Sequence, residues 1–61
     1  MDNDLKQEIK NHIDYLTQDV ENPKSKLFLN IALMSLLKKE FEGAMTREEI
    51  SEVIKEWREE G

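Results

Sequence analysis

The amino-acid sequence predicts an all-α fold, a single domain of three helices. Two observations support this prediction. Three segments repeat apolar residues at helical spacing, and the breaks between them contain either a proline or a glycine. The chain has 61 residues, so it can hold one domain at most, covering residues 1–61. We expect helices over about 4–20, 24–42 and 47–59.

The first helix is predicted by a one-sided apolar pattern. Its apolar positions follow a spacing of three and four residues: Leu5, Ile9, Ile13, Leu16 and Val20. Asp2, Asn3 and Asp4 each offer a side-chain oxygen that can cap its start. Because Pro23 disfavours helical geometry at the residue before it, this helix should end near Asn22.

The second helix is predicted to be apolar around almost its whole circumference. Asn22 can cap it with Pro23 at its first position, or Ser25 can cap it one turn later. Its apolar residues occupy nearly every side of a helical wheel: Leu27, Phe28, Leu29, Ile31, Ala32, Leu33, Met34, Leu36, Leu37 and Phe41. Such a pattern is typical of a helix that is buried on every side.

The third helix has the clearest local signature in the chain. Gly43 ends the helix before it, and Thr46 and Glu49 then fit the capping-box pattern. Met45 and Ile50 are spaced for a hydrophobic staple around this cap. Truncation of Thr46 to alanine should therefore cost about 1 kcal/mol. The apolar stripe of this helix follows helical spacing: Ile50, Val53, Ile54 and Trp57.

The second helix carries more apolar surface than its two neighbours can cover. Each neighbour has one stripe, so part of the second helix would stay in water, and such patches usually mark interfaces. The chain has no cysteine, so no disulfide can stabilise so small a domain. We predict a homodimeric bundle around the second helix, or a complex with another protein. The predicted contact residues are Leu29, Leu33, Leu36, Leu37, Phe41 and Trp57. The alternative is an ordinary core helix, shielded by the stems of lysine and glutamate side chains.

The charge balance argues against nucleic acids and anionic membranes as partners. The formal net charge is −5, whereas phosphate groups are bound by lysine and arginine. The longest apolar run, 27–37, is about half of a membrane span. The acidic start does not resemble a targeting segment, so we expect a cytoplasmic protein. Met1 and Gly61 favour an intact small protein, and the composition suits an AT-rich bacterial or phage genome.

No pattern in the sequence predicts catalysis, a cofactor, a metal site or a small-molecule substrate. His12 is the only histidine, and an ion pair or a rim position is expected for it rather than a role as general base. Gly43 and Gly61 are the only glycines, so a glycine-rich phosphate loop is impossible. The paired carboxylates belong to a charged, solvated helix face. We therefore expect that the protein is not an enzyme.

Three functional hypotheses remain open. The first is a small acidic regulator that binds a larger protein through an apolar helical surface, and inhibits or retargets it. The second is a DNA mimic that occupies the nucleic-acid site of a basic protein. Its acidic face would consist of Glu48, Glu52, Glu56 and Glu59. The third is a purely structural subunit of an assembly.

Overall fold

The computed structural model of the chain describes residues 3–60, which form three α-helices and one short 3-10 helix. The elements are α1 at Asn3–Leu16, the 3-10 helix at Pro23–Ser25, α2 at Phe28–Glu40 and α3 at Arg47–Glu59. Over residues 3–60 there is no strand, so the predicted all-α class with three helices is confirmed. Asp2, one of the predicted capping residues, lies outside the described residues, as do Met1 and Gly61.

Helix α1 ends at Leu16, four residues before its predicted end. The hydroxyl of the buried Thr17 donates a hydrogen bond to the carbonyl of Ile13 over 2.8 Å. A threonine bonded to its i−4 carbonyl weakens and often bends a helix. The chain then turns, and the N–H of Val20 donates to the carbonyl of Thr17 over 3.0 Å. Val20, predicted as the last residue of the helical stripe, therefore lies in a turn.

The start of α2 also differs from the prediction. Asn22 adopts a left-handed conformation with φ of 52°, and its side chain makes no capping hydrogen bond. Pro23 begins the 3-10 helix, where Ser25 donates its hydroxyl to the carbonyl of Asn22 over 2.9 Å. Lys26 is extended, so α2 begins only at Phe28 and has no side-chain cap. The predicted caps of α2 by Asn22 or Ser25 are therefore wrong.

The turn between α2 and α3 matches the prediction in part. Helix α2 ends at Glu40, two residues before its predicted end, and its C-cap is Phe41, so Gly43 does not directly follow the cap as predicted. Gly43 has φ of +84°, a conformation that glycine adopts without steric cost. The N–H of Thr46 donates to the Glu49 carboxylate over 2.8 Å, and the N–H of Glu49 donates to the Thr46 hydroxyl over 3.2 Å. The capping box and the predicted bounds of α3 are thus confirmed. Met45 and Ile50, on either side of the cap, are both buried in the core.

Helix α3, not α2, is the central helix of the fold. It packs against α2, α1 and the 3-10 helix. Its whole apolar stripe is buried: Ile50, Val53, Ile54 and Trp57. Within the single chain, helix α2 buries only Leu33 and Leu37, because α3 covers one side of α2 and none of the described residues covers the opposite side. Burial of the remaining sides needs a second chain and stays a prediction.

Two ion pairs join α1 to the end of α3. The ammonium group of Lys6 lies 3.0 Å from the Glu56 carboxylate, and Lys10 pairs with Glu60. Both pairs link residues that are 50 positions apart in sequence, so they hold the first helix of the chain against the last one.

The last turns of α3 hold α1 and the 3-10 helix together. The indole N–H of Trp57 donates to the Asp14 carboxylate over 2.7 Å. The Lys24 ammonium lies 5.2 Å from the centroid of the Trp57 ring, within the range of a cation–π interaction. Arg58 donates its Nε–H to the backbone carbonyl of Lys24 over 3.0 Å. These contacts place the 3-10 helix beside the end of α3.

Candidate protein-contact surface

The outward side of α2 carries large apolar side chains that the chain does not cover. Leu27, Phe28 and Ile31 are 69%, 65% and 76% exposed, and Leu36 is 45% exposed. Ala32, also exposed, lies between them on the helix. Spacings of three and four residues place these positions on one side of the helix. We call these five residues the α2 outer face.

The exposure of this face confirms that part of the second helix stays in contact with water in a single chain, but it corrects which residues do so. Three predicted contact residues are buried in the chain's own core: Leu33, Leu37 and Trp57. Two more are half-buried against that core: Leu29 and Phe41. Of the six, Leu36 alone is exposed. The stripe of α3 covers the side of α2 that carries Leu33 and Leu37, which removes both from the surface.

The prediction missed Leu27, Phe28 and Ile31 as surface residues. A signal for them exists in the sequence: on a helical wheel, Ser35 and Lys39 lie on the same side as Phe28 and Ile31. Both polar residues are exposed in the structure. Polar residues on an otherwise apolar helix mark the side that faces water, and they would have separated the outer face from the buried side.

Lysines flank the α2 outer face at both ends. The segment 23–39 contains four lysines and no acidic residue: Lys24, Lys26, Lys38 and Lys39. The whole chain has 14 acidic and 9 basic side chains, so the remainder has 14 acidic and 5 basic ones, a net charge of −9. The exposed apolar surface therefore lies in a basic segment of an otherwise acidic chain.

A groove of about 440 Å³ opens between α2, α3 and the 3-10 helix. Three basic side chains line it: Lys24, Lys55 and Arg58. Met34 and Ile54 contribute apolar walls, and Asn30 contributes an amide. The Oδ1 atom of Asn30 is buried and accepts no hydrogen bond from any described residue. Met34 follows Ile31 by three residues on the same helix, so this α2–α3 groove adjoins the α2 outer face.

The predicted acidic face is not continuous. Three of its glutamates are exposed: Glu48, Glu52 and Glu59. Glu56 is half-buried and turned towards α1, where Lys6 lies 3.0 Å and Lys10 3.9 Å from its carboxylate. The hydrogen bond from Lys6 lowers the pKa of Glu56. Because Glu56 is engaged within the chain, its place in the predicted acidic face is corrected.

Two further charged groups have a perturbed pKa for structural reasons. The hydrogen bond from the backbone N–H of Thr46 lowers the pKa of Glu49. The hydrogen bond to the Glu60 carboxylate raises the pKa of Lys10. Glu49 stabilises the start of α3, and Lys10 stabilises the contact between α1 and the end of α3. Neither lies in the α2–α3 groove, so these perturbed groups do not indicate a reactive site there.

His12 lies in an aromatic environment. Its ring centroid is 6.0 Å from that of Phe41, edge to face, and 6.4 Å from that of Tyr15, stacked. Its Nε2 atom is buried and has no hydrogen-bond partner among residues 3–60. In the same part of the chain, no cluster of three or more histidine, aspartate or glutamate side chains is placed to hold a metal ion. The contacts of His12 are thus those of a packing residue.

None of the helices formed by the described residues combines the length and the hydropathy that are needed to cross a bilayer. Helix α2, the most apolar of the three, has 13 residues, whereas a spanning helix needs about 20.

Comparison with known proteins finds no match. No protein-family model fits the sequence, and neither the curated proteins nor the solved structures include one that is significantly similar to it. The functional conclusion therefore depends on the geometry of the chain itself.

Proposed function

We propose that this chain is a small protein–protein interaction module whose contact surface is the α2 outer face. In this proposal it acts as a regulator that binds a larger protein and inhibits or retargets it. The observation that supports it is the exposure of Leu27, Phe28 and Ile31 side by side, each above 60%. Contiguous apolar surface on a folded chain is typical of a protein contact site.

The size of this face indicates what kind of partner can cover it. Complete burial of an aliphatic or aromatic side chain contributes roughly 1.5–3 kcal/mol. Three such residues contribute roughly 5–9 kcal/mol, whereas association costs about 4–15 kcal/mol in lost freedom. The partner must therefore add apolar side chains of its own, which a protein surface does and a nucleic-acid backbone does not.

Two arrangements are compatible with this contact surface. In the first, two copies cover each other's α2 outer face, which gives a two-fold, six-helix homodimer. In the second, a helix or groove of another protein covers it. Light scattering distinguishes them, because the homodimer has twice the 7.2 kDa mass of the chain. A structural assembly subunit would instead show a mass that keeps rising with concentration.

The DNA-mimic alternative has less support. It needs a row of free carboxylates spaced like phosphates, and Glu56 in the middle of that row is paired with Lys6. The remaining exposed glutamates of the predicted face do not form a continuous row. Charge reversal at Glu48 and Glu52, which are exposed and do not line the α2–α3 groove, should therefore leave the function intact, which a DNA mimic would not tolerate.

The proposed function is tested by placing a charge on the contact surface. Ile31→Glu puts a carboxylate on the α2 outer face, and Gln18→Glu makes the same charge change on an exposed turn as a control. Light scattering from micromolar to millimolar concentration measures self-association, and affinity capture from the native cell measures partner binding. We expect Ile31→Glu to abolish whichever association the unmodified chain shows, and Gln18→Glu to preserve it.

An unmodified chain that stays at 7.2 kDa throughout and captures no protein in a manner that depends on Ile31 would contradict the proposal. Circular dichroism of both variants shows whether each is folded. Because Ile31 is 76% exposed, its replacement should not unfold the chain.

A further inference from the structure

We infer that the partner is an acidic amphipathic helix, and that the α2–α3 groove binds one of its carboxylates beside the α2 outer face. This inference rests on the proposed function, because it takes the α2 outer face as the contact surface. It adds the chemistry of the partner and a second binding element, the groove with Lys24, Lys55 and Arg58.

The first support is the charge around the contact surface. The segment 23–39 carries four positive charges and no negative one, within a chain whose remainder has a net charge of −9. Complementary charge at the edge of an apolar contact raises the association rate and selects the partner. An apolar stripe with acidic flanks complements this surface, whereas a basic amphipathic helix would be repelled by it.

The second support is the state of the basic side chains in the groove. Arg58 donates its Nε–H to the Lys24 carbonyl, which fixes the orientation of the guanidinium group. Among residues 3–60, no carboxylate lies within 4 Å of the charged nitrogens of Arg58, Lys24 or Lys55. An oriented guanidinium group presents its remaining N–H groups in a fork that matches a carboxylate. The groove can therefore bind an anion from a partner, because no carboxylate of residues 3–60 pairs with its basic side chains.

The third support is the rest of the groove lining. Met34 and Ile54 offer apolar contact for the methylene groups of a glutamate side chain. The buried Oδ1 atom of Asn30 lacks a donor, and an unsatisfied buried acceptor costs free energy. The first turn of a helix has free backbone N–H groups and favours glutamate. A helix start with a glutamate therefore supplies both the carboxylate and the missing donor.

Glu59 also lines the groove and reduces its positive charge. Its carboxylate is exposed and forms no ion pair within 4 Å among the described residues. Three basic side chains against one acidic one leave a net charge of +2 in the groove. The groove thus remains attractive to a carboxylate, because the three positive charges outweigh the repulsion from Glu59.

A second copy of the chain fits this surface less well. Pairing of two α2 outer faces brings together two copies of the segment 23–39, each with four lysines and no acidic residue, so the two segments repel each other. The acidic outer sides of α1 and α3 offer no matching apolar stripe. Beyond α2 and the adjacent Leu27, the exposed large apolar side chains of residues 3–60 reduce to Tyr15.

The test uses three synthetic helical peptides of about five turns that share one leucine stripe. Their flanking positions carry glutamate, glutamine or lysine. Binding to the isotope-labelled chain is followed by NMR at low salt, with the amide signals of α2 and the Nε–H signal of Arg58 as reporters. We expect the glutamate peptide to bind about tenfold more tightly than the lysine peptide and to shift the Arg58 signal. Added salt should reduce this preference.

Two groove variants and one matched control assign the preference to the groove. Lys55→Gln and Arg47→Gln each remove one exposed positive charge from α3, but only Lys55 lines the α2–α3 groove. Lys55→Gln and Arg58→Gln should each weaken binding of the glutamate peptide about three- to tenfold, and Arg47→Gln less than about twofold. The Lys55 side chain makes no hydrogen bond or ion pair with the described residues, so its variant should keep the fold even if Arg58→Gln does not.

The outcomes separate this inference from the proposed function. Equal binding of the glutamate and lysine peptides at the α2 outer face would overturn the inference and leave the contact surface standing. No shift of α2 signals with any peptide would contradict both. Anionic vesicles of phosphatidylglycerol in phosphatidylcholine form the last arm. If the chain bound these vesicles more tightly than the glutamate peptide, and Lys55→Gln lost vesicle binding, the groove would be a site for lipid phosphates. This result would overturn the inference that the partner is an acidic helix.

Discussion

Helices α2 and α3 have the same length and use their apolar residues in opposite ways. Each has 13 residues. Helix α3 is the more polar one, yet it buries four apolar side chains and has a capped start. Helix α2 is richer in apolar residues, buries two, and exposes Phe28, Ile31 and Leu36. In this small chain, a side chain is buried when it lies on the side of its helix that another helix covers. The total hydrophobicity of the helix does not decide this.

The comparison predicts its largest effect for the aromatic residues of the two regions. Trp57 is buried against α1, and Phe28 is exposed on the α2 outer face. Trp57→Ala should cost about 3–5 kcal/mol, which approaches the roughly 3–9 kcal/mol total expected for a chain of this length. We expect Trp57→Ala to be largely unfolded by circular dichroism. Phe28→Ala should change the stability by less than about 0.5 kcal/mol, and an equal loss in both would break the comparison.

A matched pair of isoleucines sharpens the same contrast. Ile50 in α3 is fully buried, and Ile31 in α2 is 76% exposed. Ile50→Ala should lower the free energy of unfolding by about 2–4 kcal/mol through lost burial and a cavity. Ile31→Ala should leave it unchanged or raise it slightly, because alanine is the better helix former. Urea denaturation measures both, and a large loss in Ile31→Ala would show that α2 is covered on both sides.

The helix starts also differ, and this predicts a smaller effect. Thr46 and Glu49 close a capping box at α3, whereas α2 begins without a side-chain cap. Thr46→Ala should cost about 1 kcal/mol in urea denaturation. Thr46→Ser keeps the hydroxyl acceptor and should retain most of the stability. If Thr46→Ser lost as much as Thr46→Ala, the hydrogen bond to the N–H of Glu49 would not be the cause.

The smallest predicted effect is a pH dependence that belongs to the α1–α3 contact and not to α2. The hydrogen bond from Lys6 lowers the pKa of Glu56 below its ordinary value of 4.5. A carboxylate with a lowered pKa in the folded chain adds stability above pH 4.5, and this stability is lost as the pH falls through the folded pKa. Unfolding followed between neutral and acidic pH should therefore show a decline that Glu56→Gln and Lys6→Gln both reduce. An unchanged pH profile in both variants would contradict the pairing.

The start and end of α3 could be predicted from the sequence, whereas the end of α1 and the start of α2 could not. The bounds of α3 follow from Thr46 and Glu49, which interact with each other within one turn. The early end of α1 depends on the hydrogen bond from the Thr17 hydroxyl to the Ile13 carbonyl, which weakens the helix at this point. The late start of α2 depends on the extended Lys26, which no helix-start pattern indicates.

The existence of the candidate surface was predictable, and its residues were not. Counting apolar stripes shows that some of the second helix must remain uncovered, but the count does not show which side α3 covers. Leu33 and Leu37 face α3, and Ile31 faces water, because of the packing of the whole chain. The same limit applies to Glu56, whose partner Lys6 is 50 residues away in sequence. The α2–α3 groove, built from three separate elements, had no counterpart in the sequence patterns.

The most direct test of the account is photo-crosslinking from the α2 outer face in the cells that make the protein. A photoreactive phenylalanine derivative replaces Phe28, and the same derivative replaces Glu8 on the exposed side of α1 as the matched control. We expect a covalent adduct with a second protein chain from position 28 and none from position 8. Equal adducts from both positions, or none from position 28, would contradict it.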